Sequence, residues 1–455
     1  MTEPEVAALS AALTGDVLAP SDAGYDDARA LWNRRFDRRP ALIARCRSAD
    51  DVRHAVHFAR AHALELSVKG GGHAFAANTV GDGGLLVDLS LMKGMSVDAG
   101  ARTLRVEPGV KWGELDPVTQ ARGLATVGGT VSSVGVAGFV LGGGSGNLTR
   151  KYGMAVDNLL AAEVVTADGR IVRASAIEHP DLFWALRGGG GNFGIVTAFD
   201  LRLHQVGPEV LAGQIMHPLS EAASLLQLYR EFMRTADDDV QCFAFFFRVP
   251  PIPVFPEAFH GQVVLDLIVF HPDAGAEATF APLLGFGHPI LSYVSRQPYV
   301  DAQRAFDAGV PGGQRWDSRA QDLADLSDEV IDVVLSRIGE LPGEFTSAYF
   351  APGGGATARV DASATAFPHR HAAFSFHIMA GWSGPADDER VTAWAQDVCD
   401  ALEPHSTGGV YVNVLGAGEQ SRIRAAYGDN FDRLVEVKRK WDPENLFRMN
   451  HNIRP

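Results

Sequence analysis

The chain has 455 residues, 46% hydrophobic and 21% charged, enough for two or three domains around large buried cores. Its formal net charge of −15, from 40 Lys+Arg against 55 Asp+Glu, repels phosphate backbones and argues against nucleic acid as a partner. Three widely spaced cysteines give no disulfide framework, and 49 glycines, 27 of them between Gly70 and Gly207, lack the Gly-X-Y period of collagen.

In chain order, residues 1–37 predict a helical lead-in. Glu3 and Glu5 stand there without an apolar run, so no signal peptide is expected. The basic cluster Arg34, Arg35, Arg38 and Arg39, broken by Phe36 and Asp37, reads as a solvated loop or helix end. Pro40–Arg45 predicts a strand. Ser48 with Asp51 three residues later predicts a helix start before Val52, Val56, Ala59 and Ala63, and Glu65–Lys69 returns to strand. This β-α-β unit ends in Gly70-Gly71-Gly72-His73. Short strands follow at Leu85–Asp88, Met95–Val97 and Thr103–Val106, then a helix over Gly113–Gly123. Leu159–Thr166 and Ile171–Arg173 flank Ala167-Asp168-Gly169, a hairpin signal.

After about residue 207 glycine thins and apolar strands appear at Val240–Val249, Val263–Phe270, Phe345–Ala351 and Phe374–Trp382. Helices over Ser220–Arg234 and Ser327–Ile338 lie between them, which predicts an antiparallel sheet with helices on one face. From Gly408 the pattern changes to a strand at Val410–Leu415 and helices at Glu419–Tyr427 and Phe431–Trp441, stopped by Asp442-Pro443. No run of about 18 apolar residues predicts a membrane span, so a cytoplasmic protein is expected.

Several familiar motifs fail on context. Gly189, Gly191 and Gly194 match GxGxxG, but helix His179–Arg187 precedes them and strand Ile195–Leu203 follows, the reverse of a dinucleotide fingerprint. Gly144-Ser145-Gly146 lacks the glycine that a nucleophile elbow needs at Asn147. No metal site is predicted, since His54 and His57 share a helix face without nearby carboxylates.

What remains is four glycine-rich segments: Lys69–His73, Gly128–Thr130 with Gly135–Gly138, Gly142–Asn147 and Gly191–Gly194. Turns without side chains expose backbone N–H groups that can cradle a pyrophosphate, and several of them imply an extended ligand. His73 follows one such turn. Ligand contact, metal binding and covalent attachment are all open to it on residue chemistry alone.

Val68–His73, Gly142–Gly153, Asp157-Asn158-Leu159, Asp181–Val196, Tyr411-Val412-Asn413 and the closing Lys438–Asn452, in this order, resemble the FAD-linked oxidases of the berberine bridge enzyme-like group. The resemblance spans about residues 20–455. It implies an α+β protein: a two-subdomain FAD-binding domain of the vanillyl-alcohol oxidase (PCMH) type over 1–207, and a substrate domain over 208–408 whose antiparallel sheet roofs the flavin. Residues 409–455 would return to the FAD domain. By the same resemblance His73 carries a covalent bond to FAD. Lys69, Gly70, Gly71, Gly72, Ala74 and Asn78 would line the phosphate and ring site. Gly128, Gly129, Thr130, Gly138, Gly142, Gly143, Asn147 and Asn158 would hold the middle, with Asn192, Gly194 and Val196 at the adenine end. Tyr411, Asn413, Asn450 and Asn452 would reach the flavin from the C-terminus.

Three departures from the family pattern bear on mechanism. Val131-Ser132 stands where members with a second, cysteinyl link have Cys-Pro, so attachment is expected through His73 alone. Phe139 replaces a histidine. Val414 replaces the tyrosine that serves as base in many members. A replacement acid or base would come from Tyr411, from Tyr349 or His377 on the roof strands, or from Arg248 or Asp266. Strand alternation puts Ser375, His377 and Met379 on one face and Phe374, Phe376 and Ile378 on the other. A positioned tyrosine could take a proton as hydride leaves, and two separate arguments place Tyr411 near the flavin. The aromatic strand Phe243–Phe247 suits either an apolar wall for a ring-bearing substrate or core packing.

The resulting expectation is an FAD-dependent oxidase of secondary-metabolite or alkaloid type, a monomer or homodimer, acting on a small molecule with O2 as acceptor. The alternatives are a flavin-containing binding or resistance protein with little turnover, and a flavin dehydrogenase using another acceptor.

Overall fold

The computed structural model describes residues 2–76 and 78–455. A four-stranded sheet forms first, in the order Asp16–Leu18, Leu42–Arg45, Leu85–Asp88, Leu66–Lys69. Its last three strands are parallel, so the crossover needs a helix. That helix is Ala49–Ala61, capped by Ser48, whose Oγ accepts from the Asp51 amide at 3.1 Å. Its Val52, Ala55, Val56 and Ala59 recur at helical spacing and are buried against the sheet. Strand Leu66–Lys69 ends at the Gly70–Gly72 turn, and sheet register sets Lys69 opposite Asp88.

A five-stranded antiparallel sheet follows, in the order Met95–Asp98, Thr103–Val106, Ile195–Arg202, Leu159–Val165, Ile171–Ser175. Gly169, at φ +80°, makes the hairpin turn that Asp168-Gly169 predicts. Among the glycine segments a short helix, Val136–Leu141, starts directly after Gly135.

The third sheet has seven antiparallel strands, in the order Leu291–Pro298, Glu209–Pro218, Val263–His271, Gln241–Arg248, Ser347–Pro352, Phe374–Trp382, Arg315–Leu323. Helices Ala222–Thr235, Asp328–Ile338 and Asp388–Leu402 cover one face, where Leu225, Ile331 and Val398 bury against Phe246, Phe350, Phe374 and Phe376. The opposite face carries Phe243, Phe245, Ile268 and Tyr349. Alternation therefore sorts the strands as predicted, with helices on one side only.

Three of the seven strands were not predicted. Leu291–Pro298 is a polar edge strand, and Arg315–Leu323 reads as charged rather than amphipathic because it buries Asp317 and Arg319 in ion pairs. Glu209–Pro218 was also missed. The N-terminal lead-in is two helices, Glu3–Ala12 and Tyr25–Arg29, with strand Asp16–Leu18 between them. Val410–Leu415 is not a strand. It makes one tight turn, in which the Val414 amide donates to the Tyr411 carbonyl at 3.1 Å. Among the described residues no helix is long and apolar enough to cross a membrane.

Candidate active site

The glycine segments come together around one cavity of about 400 Å³, closed on one side by Tyr349 and Met379 of the seven-stranded sheet. Gly71 and Gly135 cross in backbone contact: a Cβ on Gly71 would stand 2.5 Å from the Gly135 Cα. Gly138 and Gly191 also line the cavity, and nothing lies within 4 Å of where their side chains would begin. Backbone is thus exposed along the floor, as a close-fitting extended ligand requires.

His73 stands at one end. Its Nε2 hydrogen-bonds with Ser133 Oγ at 2.9 Å. Its ring stacks on Trp32 at 4.0 Å, and Trp32 stacks on Trp316 at 4.8 Å. Burial pushes the imidazole pKa down to about 3, so the ring is neutral and keeps a lone pair for bonding. The ring is held from two directions, by the hydrogen bond and by the stack.

Tyr411 and Asn413 enter from the tight turn near the C-terminus. The Tyr411 hydroxyl oxygen accepts from the Gly144 amide and from Asn413 Nδ2, both at 2.8 Å, and Asn413 Nδ2 also donates to the Phe139 carbonyl at 3.0 Å. These bonds explain why a β-branched stretch turns here instead of extending. Burial pushes the Tyr411 phenol up to about 12, while the N–H donors pull it down by favouring the phenolate. With two donors on its oxygen, the phenol's own proton must point elsewhere.

Sheet register puts Met216, Asp266, Phe245, Tyr349, His377 and Ala320 in one transverse row. Three of the acid-base candidates therefore share a face, but only Tyr349 lines the cavity. It lies between Phe245 (5.4 Å) and His377 (4.8 Å), both stacked on it, and burial raises its pKa. His377 is held neutral, with its pKa down to about 4, and supports Tyr349 from behind. Asp266 is buried, its carboxyl pushed up to about 7 by desolvation, one strand further from the cavity than Phe245. Arg248, expected among the acid-base candidates, lies away from the cavity. It shares the parity of Phe246, on the helix-covered face, and its guanidinium donates to the Gly261 and Leu341 carbonyls at 2.6 and 2.8 Å.

Of the residues assigned to the cofactor, Gly70, Gly71, Gly72, His73, Ala74, Asn78, Gly129, Thr130, Gly138, Gly142, Asn192, Gly194, Val196, Tyr411, Asn413 and Asn450 line the cavity. Six do not. Lys69 turns away to the Ala28 carbonyl and to Asp88 at 3.5 Å. Gly128 packs on the Trp112 indole, and Gly143 sits under Tyr411 at φ +134°. Asn147 donates to Gln303 Oε1 at 2.9 Å beside a separate cavity of about 110 Å³. Asn158 donates to the Tyr152 and Met154 carbonyls, both at 3.0 Å. Asn452 Oδ1 is buried without a partner, off the cavity.

The C-terminal segment is pinned by one buried ammonium. Lys438 Nζ, wholly inaccessible, donates to the Asn192 carbonyl (2.8 Å), Asp442 Oδ2 (2.7 Å) and the Phe447 carbonyl (2.9 Å). Lys438→Met leaves the equally buried Asp442 unpaired, and we expect a loss of about 3–5 kcal/mol, read as a lower urea midpoint. Tyr427, Phe75, Met379 and His451 line the cavity and were missed by sequence reasoning. Alternation had placed Met379 on the right face, whereas nothing in the sequence marks Tyr427.

Tyr427 Oη and Asn450 Oδ1 are buried in the lining without a protein partner. Unpartnered polar atoms beside a floor of bare glycine backbone fit FAD, whose ribityl chain and pyrophosphate offer donors and acceptors along its length.

Residues 40–175 match the model of an FAD-binding domain, and residues 410–454 that of the berberine and berberine-like family. The chain is 33% identical to (R)-6-hydroxynicotine oxidase of Paenarthrobacter nicotinovorans over 97% of both chains. It is 28% identical to the xylooligosaccharide oxidase of Thermothelomyces thermophilus, over 93% of this chain and 89% of that one. The solved structure of 6-hydroxy-D-nicotine oxidase from Arthrobacter nicotinovorans superposes with a TM-score of 0.86 at 31% identity, covering 97% of this chain and 98% of that one.

Proposed function

The chain belongs to the berberine bridge enzyme-like family of FAD-linked oxidoreductases, and from that premise we propose that it oxidises a small ring-bearing metabolite, of secondary-metabolite or alkaloid type, using FAD bonded to His73 alone. The observation that carries the proposal is the convergence of His73, Tyr349, Tyr411 and Asn413 on the single cavity floored by glycine backbone. FAD bound there would supply a two-electron acceptor for a hydride from the substrate, with O2 as the final acceptor.

The chain's own residues do the rest. Gly70–Ala74, Asn78, Gly129, Thr130, Gly138 and Gly142 hold the cofactor by backbone and short side chains, with Asn192, Gly194, Val196 and Asn450 at its far end. Ser133 and Trp32 orient the His73 ring. Val131, which cannot form a thioether, lines the cavity where a second link would arise in other members. Tyr411 takes the substrate's proton, with its phenolate favoured by the Gly144 and Asn413 donors, and Tyr349 orients the substrate from the roof. Residues 1–207, 208–408 and 409–455 divide these tasks among cofactor binding, substrate cover and return of Tyr411 to the flavin.

Val414, in the lining where many members place a tyrosine, favours a second reading: a flavin-holding binding or resistance protein with little turnover. A flavin dehydrogenase differs only in its acceptor. Candidate metabolites mixed anaerobically with the protein, followed by admission of air, separate the three. We expect the flavin band to bleach and then recover within seconds. No bleaching by any metabolite supports the binding protein, and bleaching without rapid recovery supports the dehydrogenase.

A further inference from the structure

Among the described residues, no Lys, Arg, Asp or Glu side chain lines the cavity. Its two histidines, His73 and His451, are held neutral by burial, with pKa values down to about 3 and about 4. Of the charges near it, Lys111 helps hold the His73 imidazole neutral but does not line the cavity, and others are engaged. Lys69 faces Asp88, and Asp307 accepts from the Ser132 amide (2.7 Å) and hydroxyl (2.6 Å). Arg319 pairs with Glu419 at 3.1 Å, off the cavity.

The roof is apolar and aromatic. Tyr349 and Met379 face the cavity, and Phe243, Phe245, Ile268 and Phe306 pack behind Tyr349. At the His73 end the walls are Phe75, Val131 and Phe139, with Val414 near Tyr411. The polar groups there are few, chiefly the hydroxyls of Tyr411, Tyr349 and Ser145 and the Asn413 Oδ1, since Asn413 Nδ2 already donates to Phe139 and Tyr411. A charged group brought into such walls loses its water and finds no counter-ion. A sugar chain would bury several hydroxyls against carbon, each left unpaired.

We infer that the substrate enters as an uncharged ring-bearing molecule with a single polar donor, and that the site excludes ammonium ions, carboxylates and oligosaccharides. This rests on the proposal that the cavity holds FAD, and it narrows the substrate class beyond "ring-bearing". It also separates this chain from relatives whose names state a sugar substrate.

The test uses the flavin-loaded protein at pH 7 and four probes that differ in charge or polarity: benzyl alcohol, benzylammonium, benzoate and xylobiose. Binding is followed as a perturbation of the flavin absorbance. Benzyl alcohol should bind at least about tenfold more tightly than each of the others. In Met379→Glu, which puts a carboxylate in the wall, benzylammonium should gain at least about tenfold over its wild-type affinity and benzyl alcohol should weaken. Equal or tighter wild-type binding of any charged probe or of xylobiose overturns the inference. So does silence towards benzyl alcohol up to its solubility, or unchanged affinities in Met379→Glu. A protein that takes up no flavin defeats the underlying reading instead, a different and visible result.

Discussion

Tyr411→Phe should lower the first-order rate of anaerobic flavin reduction by about 10²–10⁴-fold while changing substrate affinity by no more than a few-fold. The Tyr411 oxygen accepts from Gly144 and Asn413, so the remaining direction is the one available for a substrate hydroxyl. Phenylalanine keeps the ring packed against Phe367, 6.0 Å away, and removes only the oxygen. The pH dependence has a definite sign. A base works when deprotonated, and burial holds this phenol at about 12. The wild-type reduction rate should therefore rise with pH through the neutral and alkaline range, roughly tenfold per unit while pH stays below that value. The Phe variant should lose this rise. Stopped-flow reduction at several pH values measures both effects, and a Phe variant with unchanged rate and slope removes Tyr411 from the mechanism.

The second large effect concerns attachment. His73→Ala should abolish covalent flavin, so that acid precipitation releases all of it, while the native variant still binds FAD reversibly. The backbone cradle is made by glycines that the substitution leaves alone, Ala removes the imidazole proposed to bond, and Val131 in the lining offers no thiol in its place. Substrate-driven reduction should also slow, because the protein groups bonded to a cofactor tune its electronics and hold its orientation. Flavin fluorescence on a denaturing gel reads the first outcome. A fluorescent His73→Ala band would mean that another residue forms the bond.

Much of this was legible in the sequence because glycine was. The four glycine segments were read as one extended cradle, and their residues do meet at a single cavity. Period-two alternation likewise puts His377 and Met379 on one face of their strand, and register adds that His377 shares a row with Tyr349 and Asp266. What alternation could not supply is depth. Within that row only Tyr349 reaches the cavity, because His377 is stacked behind its ring and Asp266 lies beyond Phe245.

Three motif-borne polar residues stand apart from the cavity lining. Lys69, Asn147 and Asn158 stand at family positions, and each hydrogen-bonds or pairs with protein partners beside the lining: Asp88, Gln303 and Tyr152. Val410–Leu415 has the composition of a strand, but hydrogen bonds from Asn413 and to Tyr411 cost less than extending away from the glycine loop. Strand Arg315–Leu323 was hidden for the opposite reason. Its charges are buried in pairs, so hydrophobic patterning never marked it as part of a sheet. Tyr427 reaches the cavity from the C-terminal helices, a tertiary placement that no local pattern records.

The central claim is that this cavity holds FAD and that His73 bonds to it. Proteolysis of the denatured, acid-washed wild-type protein tests it most directly, with mass spectrometry of every flavin-bearing peptide. One modified peptide per chain is expected, heavier by one flavin and carrying it on His73. A flavin on any other residue, or a yellow supernatant over unmodified peptides, would contradict the attachment, and a chain that binds no flavin in either fraction would contradict the account as a whole.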